Sequence, residues 1–345
     1  MEQALEHFFS ELHWGLLGLV IALSLGVLGK AADWLVDEAV ALSEKSGIPK
    51  VVIGATVVSL GTTMPEAAVS VFAAIQGSPG LALGNAVGSI ICDTGLILGL
   101  ACLIAPLKLS RKIVNRQGWI QFFAGVLLVA ACFPFANPGA VFETGGTLPQ
   151  LVGFAFLAAL GVYLWLSVRW ARDDSGEVAV EGHEGDVGSS SALVLGKLVG
   201  AVALVVAAAR VLIPAVEEAA RRLEVPESII AATLVAFGTS LPELITAVTA
   251  ARKGHGDLAV GNVVGADILN VLFVAGAAAA VTPQGLMAGP HFFIVLFPAM
   301  LFILAVFRAG IFFSGEYLRR PFGFVLLGAY AVYMVVSYLI PAGQG

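Results

Sequence analysis

The chain has 345 residues, of which 59% are hydrophobic and 12% are charged, with a formal net charge of −6. Its mean hydropathy of +0.94 excludes a soluble globular protein and predicts an all-α protein that crosses a membrane many times. No basic tract suggests nucleic-acid binding, and the three cysteines have the spacing of neither a zinc site nor a disulfide framework.

A window of about 20 residues identifies about ten apolar segments that could each span a bilayer. In chain order they are residues 13–30, 48–75, 80–105, 117–134, 149–170, 192–214, 226–251, 257–281, 290–309 and 321–341. An acidic stretch rich in Gly and Ser, residues 172–191, follows the fifth segment and has the composition of a linker. We therefore expect a first five-helix repeat at residues 1–171 and a second at residues 192–345.

The Lys and Arg residues predict the orientation of these helices. If the N-terminus is outside, fifteen of the eighteen Lys and Arg residues fall on the cytoplasmic side, and loops 135–148 and 282–289 outside have none. The positive-inside rule then places both termini outside and the linker in the cytoplasm. The first residues have neither a basic region nor a small-residue cleavage site, so we expect no cleavable signal peptide.

The two halves share an internal repeat. Residues 53–99 and 230–276 align without a gap and agree at twenty of forty-seven positions. GTTMPE in the first copy corresponds to GTSLPE in the second, and GNAVGSIICD corresponds to GNVVGADILN. Because five helices separate the copies, and five is odd, the copies enter the membrane from opposite sides. Such an inverted repeat is typical of secondary transporters with a binding site near the midplane.

Each copy carries a helix breaker in a membrane span. Pro65 and Pro242 remove a backbone donor, and Gly61 and Gly238 loosen the same turn, so both helices should break there. Freed carbonyls are tolerated in a membrane only where they line a cavity or bind something. Hydroxyls and a carboxylate lie beside each break, namely Thr62, Thr63, Glu66, Thr239, Ser240 and Glu243. Hard cations such as Na⁺ and Ca²⁺ prefer all-oxygen sets of this kind.

The helix after each break adds residues at a spacing of four, which share one face. They are Asn85, Ser89 and Asp93 in the first copy, and Asn262, Ala266 and Asn270 in the second. For Asn85, Asn262 and the neighbouring glycines, close helix packing is an alternative interpretation. A carboxylate inside a membrane costs roughly 2.5–3.5 kcal/mol, which favours a functional role for Glu66, Glu243 and Asp93.

The paired motifs GTTMPE with GNAVGSIICD and GTSLPE with GNVVGADILN resemble the alpha-repeats of the cation/calcium exchanger superfamily. In length and layout the chain is most similar to prokaryotic Na⁺/Ca²⁺ exchangers. The resemblance implies that Glu66 and Glu243 coordinate Ca²⁺ and that Asp93 and Asn270 lie at the centre. It implies Na⁺ ligands from the side chains of Thr62, Thr63, Ser89, Thr239 and Ser240 and from the carbonyls of Ser59 and Ala236.

Two neighbouring residues depart from the pattern of the superfamily. Ala266 replaces the serine that should contribute a hydroxyl in the second copy. Asp267 follows it at roughly 100° around the helix, where it faces either the same cavity or a different one.

The expected function is exchange of Na⁺ for Ca²⁺ by alternating access in a prokaryotic inner membrane. Ca²⁺ and Na⁺ are then the transported substrates, and we expect no cofactor, no nucleic acid, no obligate protein partner and no enzymatic activity. One alternative is a proton-coupled Ca²⁺ exchanger that uses the same glutamates. A passive cation channel would need symmetry around a pore. An intramembrane aspartyl protease would use GHGD, residues 254–257, which lies in a short loop without a partner motif.

Overall fold

The computed structural model describes residues 8–174, 191–223 and 238–340. Most of the predicted linker 172–191 lies outside these ranges, as does the first half of the predicted span 226–251, which contains Ala236. The division of the chain into two repeats joined by that linker stays a prediction.

Ten main helices in the described ranges follow the ten predicted spans. They are α1 (Trp14–Ser46), α2 (Lys50–Thr62 and Met64–Ile75), α3 (Pro79–Ile104), α4 (Arg111–Cys132), α5 (Gln150–Asp174), α6 (Ser191–Arg222), α7 (Leu241–Arg252), α8 (Gly256–Ala280), α9 (Phe292–Phe313) and α10 (Arg320–Leu339). Eight of them are long and apolar enough to cross a membrane, and the bent α2 adds a ninth if its two parts form one span. The multi-spanning helical fold is thus confirmed.

Two helices are longer than their apolar patterns predict. α1 continues beyond the expected end at residue 30 and stops only at Gly47, which has the left-handed conformation that favours glycine. α6 continues through Pro214 to Arg222, so the expected end at residue 214 is wrong. α1 and α6 pack along each other, and Val211, Ala215 and Ala219, on both sides of the proline, lie in one apolar cluster with Leu17 of α1.

The predicted break in the first repeat is present, and the second repeat resumes its helix in the same way. The two parts of α2 meet at Thr63 with a bend of 44°, and Pro65 lies in the first turn after it. Thr63 has φ −81° and ψ −2°, and its counterpart Ser240 has φ −83° and ψ 8° just before α7. The equivalent residue therefore has the same backbone conformation in both repeats.

Two short antiparallel sheets connect loops from the two halves. β1 (Leu107–Lys108), between α3 and α4, pairs with β4 (Tyr317–Leu318), between α9 and α10. β2 (Gly146–Leu148), between α4 and α5, pairs with β3 (Leu286–Ala288), between α8 and α9. Paired strands lie side by side, and each pair joins loops that the Lys and Arg pattern assigns to the same side. The loops before α4 and α9 are equivalent in the repeat but belong to different sheets, as an inverted repeat requires.

The helices α3 and α8 form the interior of the protein. Within their most apolar stretches, 72% of α3 and 89% of α8 is buried, compared with 11% of α10. A Cβ added at Gly261 would lie 2.2 Å from the carbonyl oxygen of Val51, and one at Gly265 would lie 2.4 Å from Cα of Ala55. Only glycine permits this approach of α8 to α2, so close packing does explain these two glycines.

The pairing of the loops leads to a prediction about sidedness. Glu143 precedes β2 and Glu316 precedes β4, and both side chains are exposed, whereas the native Cys92, Cys102 and Cys132 are buried. In whole cells, we expect a membrane-impermeant thiol reagent to label Glu143→Cys, and to label Glu316→Cys only after the membrane is opened. Labelling of both variants from the same side would contradict the inverted repeat.

Candidate cation site

A buried carboxylate lies in the first turn after each helix break. Glu66 and Glu243 are each 1% exposed, and each occupies the N-terminal turn of its helix. The partial positive charge of a helix N-terminus favours a carboxylate there. Both carboxylate oxygens of Glu66, and Oε2 of Glu243, have no hydrogen-bond partner among the described residues. These oxygens are therefore free to accept a ligand.

The two motifs contact each other although they are far apart in sequence. The hydroxyl of Thr63 donates to Oε1 of Glu243 over 3.2 Å, and the hydroxyl of Thr239 donates to Oδ1 of Asn85 over 3.5 Å. Each of these contacts joins the first repeat to the second. The helix breaks thus bring both carboxylates to one region between the repeats.

Asp93 and Asn270 meet at the pseudo-symmetry centre. The amide of Asn270 donates to Oδ2 of Asp93 over 3.4 Å, and each residue is 1% exposed. Both lie where the α-helix widens into a π-helical turn, which spans Cys92–Ile97 in α3 and Asn270–Ala275 in α8. Such turns are frequent at functional sites because they redirect side chains. Oδ1 of Asp93 and Oδ1 of Asn270 have no hydrogen-bond partner in the described part of the chain.

The hydroxyls of Ser59 and Thr62, at the first break, have partners within their own helix. Thr62 donates to the carbonyl of Ser59 over 3.4 Å, and the backbone N–H of Thr63 donates to the same carbonyl over 2.9 Å. The Ser59 hydroxyl donates to the carbonyl of Thr56 over 3.4 Å. A cation bound by the Ser59 carbonyl would therefore share that oxygen with these donors.

Three other predicted ligands have buried polar atoms that lack partners. The hydroxyls of Ser89 and Ser240, and both polar atoms of the Asn262 side chain, have none among the described residues. Ala236, whose carbonyl the resemblance assigns to Na⁺, lies outside those residues. A buried amide without hydrogen bonds destabilises the folded protein. Close packing of α8 therefore does not explain why residue 262 is an asparagine.

Asn85 links the first break to the following helix. Its amide donates to the carbonyl of Glu66 over 3.3 Å and to the hydroxyl of Ser70 over 3.0 Å. The side chain thus fixes the turn that carries the Glu66 carboxylate. Asn85 is positioned to orient Glu66, in addition to any contact with a cation.

The sequence identified Asp267 but not the residues around it. Asp267 is 2% exposed, and its Oδ2 accepts hydrogen bonds from Thr94 of α3 and from Nε2 of Gln121 of α4, the latter over 2.5 Å. Thr94 gave no sequence signal. Gln121 did, because it and Gln117 lie four residues apart in an apolar span, and amides are unusual there.

The chemistry of the cluster is that of a hard-cation site. Among the described residues no ion pair includes Glu66, Asp93 or Glu243, although a buried carboxylate needs a positive partner. The same residues contain no group of three His, Cys, Asp or Glu side chains that could hold a metal by itself. A cation in this region must therefore also use the hydroxyl, amide and carbonyl oxygens nearby.

The GHGD segment has a structural role. Its Gly254 has φ +82°, and the Asp257 carboxylate accepts a hydrogen bond of 3.0 Å from the N–H of Leu258 in the first turn of α8. The segment forms the turn that starts α8, away from the buried carboxylates.

Comparisons with known proteins agree with this geometry. The family model described as sodium/calcium exchanger protein matches residues 16–169 and 193–339. The chain is 32% identical to the sodium/calcium exchanger MaX1 of Methanosarcina acetivorans, over 93% of this chain and 98% of that protein. It is 30% identical to the inner membrane protein YrbG of Escherichia coli, over 93% and 95% of the two chains.

Solved structures show the same fold. A structure of the sodium-calcium exchanger NCX_Mj, soaked with 10 mM Na⁺ and zero Ca²⁺, superposes with a TM-score of 0.74 at 26% identity, covering 93% of this chain and 98% of that one. The family and the fold support exchange of cations including Ca²⁺, carried out by a multi-pass membrane transporter and not by an enzyme. This chain belongs to the sodium/calcium exchanger protein family.

Proposed function

We propose that the chain is a secondary active antiporter that exchanges Na⁺ for Ca²⁺ by alternating access, with one site that both ions share. The observation that supports this most strongly is the set of buried carboxylates Glu66, Asp93 and Glu243. They come from both repeats, and each has at least one oxygen without a hydrogen-bond partner among the described residues.

In this proposal, Glu66 and Glu243 coordinate Ca²⁺ between the repeats, with Asp93 and Asn270 completing the centre. Ca²⁺ takes six to eight oxygen ligands, so carboxylates alone would not suffice and the neighbouring hydroxyls and carbonyls contribute. The Na⁺ ions use the same carboxylates together with oxygens of Ser59, Thr62, Thr63, Ser89, Thr239, Ser240 and Ala236. Asn85 holds the first helix break in place beside the ions, and the amide oxygen of Asn262, which has no hydrogen-bond partner among the described residues, is a further neutral ligand.

Coupling follows from competition for these carboxylates. A closed state that carries the empty site buries several negative charges without a partner, which costs free energy. Either Ca²⁺ or a set of Na⁺ ions neutralises the charges and permits the conformational change. The protein can then change between its outward-open and inward-open states when it carries either Ca²⁺ or Na⁺.

The Na⁺ assignment is favoured over proton coupling by two observations. The breaks carry hydroxyl-bearing residues such as Thr62 and Thr239, which are neutral ligands for Na⁺ and have no use as proton carriers near neutral pH. The relatives MaX1 and NCX_Mj are both described as exchangers of sodium and calcium.

We further propose that the protein lies in a prokaryotic inner membrane with both termini outside and residues 172–191 in the cytoplasm. The Lys and Arg distribution supports this orientation, and so does the similarity to YrbG, an inner membrane protein.

Ion gradients across proteoliposomes test the proposed function. We expect ⁴⁵Ca²⁺ uptake by the purified protein when the vesicles contain Na⁺, and background uptake when they contain Li⁺ or choline. A pH gradient in Na⁺-free buffer should drive no uptake. Uptake driven by the pH gradient, with none driven by Na⁺, would identify proton-coupled exchange instead.

Glutamine variants link this flux to the site. Glu66→Gln and Glu243→Gln should each reduce uptake to background, because each removes a charged Ca²⁺ ligand. Their thermal stability in detergent should not fall, since neutralising a buried charge removes its desolvation cost. Glu143→Gln, in an exposed loop, is the matched control and should transport as the wild type does. Wild-type flux in Glu66→Gln or Glu243→Gln would reject the site.

The contact between Asp93 and Asn270 leads to a prediction about charge position. Since the two side chains lie 3.4 Å apart at the centre, a carboxylate supplied from either repeat should serve the same ion. We expect Asp93→Asn to lose most ⁴⁵Ca²⁺ flux and the double variant Asp93→Asn with Asn270→Asp to recover a measurable part. Both proteins should be monodisperse after purification. A double variant with no more flux than Asp93→Asn would reject a shared centre.

A further inference from the structure

A second buried carboxylate group lies beside the proposed Ca²⁺ site. Asp267 of α8, Thr94 of α3 and Gln121 of α4 form a cluster that we call the Asp267 cluster, and all three residues are at most 2% exposed. Thr94 and Gln121 both donate to Oδ2 of Asp267, and Gln121 also donates to the Thr94 hydroxyl over 3.0 Å. The other carboxylate oxygen, Oδ1, is buried and has no partner among the described residues.

The fold itself does not require polar residues at these positions. In the inverted repeat, Asp267 corresponds to Ile90 and Thr94 corresponds to Val271, and both of these apolar residues are 1% exposed. The pseudo-symmetric pair, Ile90 of α3 and Val271 of α8, is therefore buried with aliphatic side chains. A carboxylate in the interior of one copy alone indicates a role that the other copy does not have.

The hydrogen bonds of Asp267 do not compensate its charge. In the described part of the chain no ion pair includes it, and its charge repels those of Asp93 and Glu243. Two neutral donors on one oxygen leave the second oxygen desolvated, which is costly for a carboxylate. A small cation bound by the Asp267 carboxylate would remove both the repulsion and the cost.

The composition of the cluster suits a monovalent cation. One carboxylate balances one positive charge, and the Thr94 hydroxyl and the Gln121 amide oxygen add neutral oxygen ligands. The nitrogen and oxygen of an amide have nearly the same shape, so Gln121 can present its oxygen after a half-turn of the amide. Ca²⁺ needs more oxygens and more negative charge than this cluster provides.

The cluster also lies next to a position where the second copy lacks a hydroxyl ligand. Ser89 of the first copy corresponds to Ala266, which has no hydroxyl, and Asp267 is the next residue along α8. Residue 266 supplies no hydroxyl ligand for Na⁺, but the next residue supplies a carboxylate.

We propose that Asp267, Thr94 and Gln121 form a Na⁺ site that is separate from the Ca²⁺ ligands and replaces the Na⁺ position lost at Ala266. This inference rests on the proposed Na⁺/Ca²⁺ exchange. Na⁺ then occupies the cluster only when the protein is loaded with Na⁺, and the cluster is empty when the protein carries Ca²⁺. The added site makes Na⁺ binding more cooperative than Na⁺ binding in the Glu66 and Glu243 region alone.

The test compares Asp267→Asn with wild type in two flux assays. In Na⁺-driven ⁴⁵Ca²⁺ uptake, the variant should need about tenfold more Na⁺ for half-saturation, because loss of a charged ligand has an effect of roughly that size. Its Hill coefficient for Na⁺ should also fall. Exchange of ⁴⁵Ca²⁺ for unlabelled Ca²⁺, which uses no Na⁺, should persist. Asp257→Asn, at the start of the same helix, is the matched control and should keep the wild-type Na⁺ dependence.

A rescue variant and a binding measurement complete the test. Ala266→Ser added to Asp267→Asn restores the missing hydroxyl and should recover part of the Na⁺ affinity. Thermal stabilisation of the purified protein by Na⁺ reports binding without transport and should shift to higher Na⁺ in Asp267→Asn. This shift would support the site even if the wild type failed to exchange Na⁺ for Ca²⁺, which would refute only the proposed function.

Two results would overturn the inference. One is a Na⁺ dependence of flux and of thermal stabilisation that is unchanged in Asp267→Asn. The other is a changed pH dependence of Ca²⁺ flux with unchanged Na⁺ affinity, which would make Asp267 a proton-binding group.

Discussion

The buried carboxylates without positive partners are the constraint on which the rest of this structure depends. Glu66, Asp93 and Glu243 are each 1% exposed in a chain whose solvent is lipid, and no ion pair in its described part includes them. Such charges are costly unless a bound cation or a proton neutralises them. In the proposed exchange, this cost explains why either of two loads permits a conformational change that the empty site resists.

Two features of the backbone that occur in both repeats, and a third in α8, bring these side chains to one place. The bend at Thr63, with the matching conformation at Ser240, places a carboxylate at a helix N-terminus on each side. The π-helical turns at Cys92–Ile97 and Asn270–Ala275 direct Asp93 and Asn270 towards each other. Gly261 and Gly265 let α8 approach the broken helix α2 at backbone distance.

The sequence predicted the parts of the structure that occur in both repeats and those marked by a residue that is unusual in a membrane helix. Pro65 within an apolar span indicated the break, and the twenty identities between the copies indicated the inverted arrangement. The hydropathy pattern gave the order of the helices but misplaced the ends of α1 and α6, because these helices pack along each other beyond their most apolar stretches. The partners of Asp267 could not be predicted, since Thr94 and Gln121 reach it from two other helices and only the tertiary packing brings them together. The same holds for β1 to β4, which pair loops that are distant in sequence.

Competition between the two ions for one set of carboxylates is the central claim of this account. Equilibrium binding of ⁴⁵Ca²⁺ to the purified protein in detergent, repeated over a series of Na⁺ concentrations, measures it directly. We expect Na⁺ to raise the Kd for Ca²⁺ more steeply than in proportion to its concentration, because several Na⁺ ions displace one Ca²⁺, while the number of Ca²⁺ sites stays constant. A Kd for Ca²⁺ that does not change with Na⁺ would contradict it.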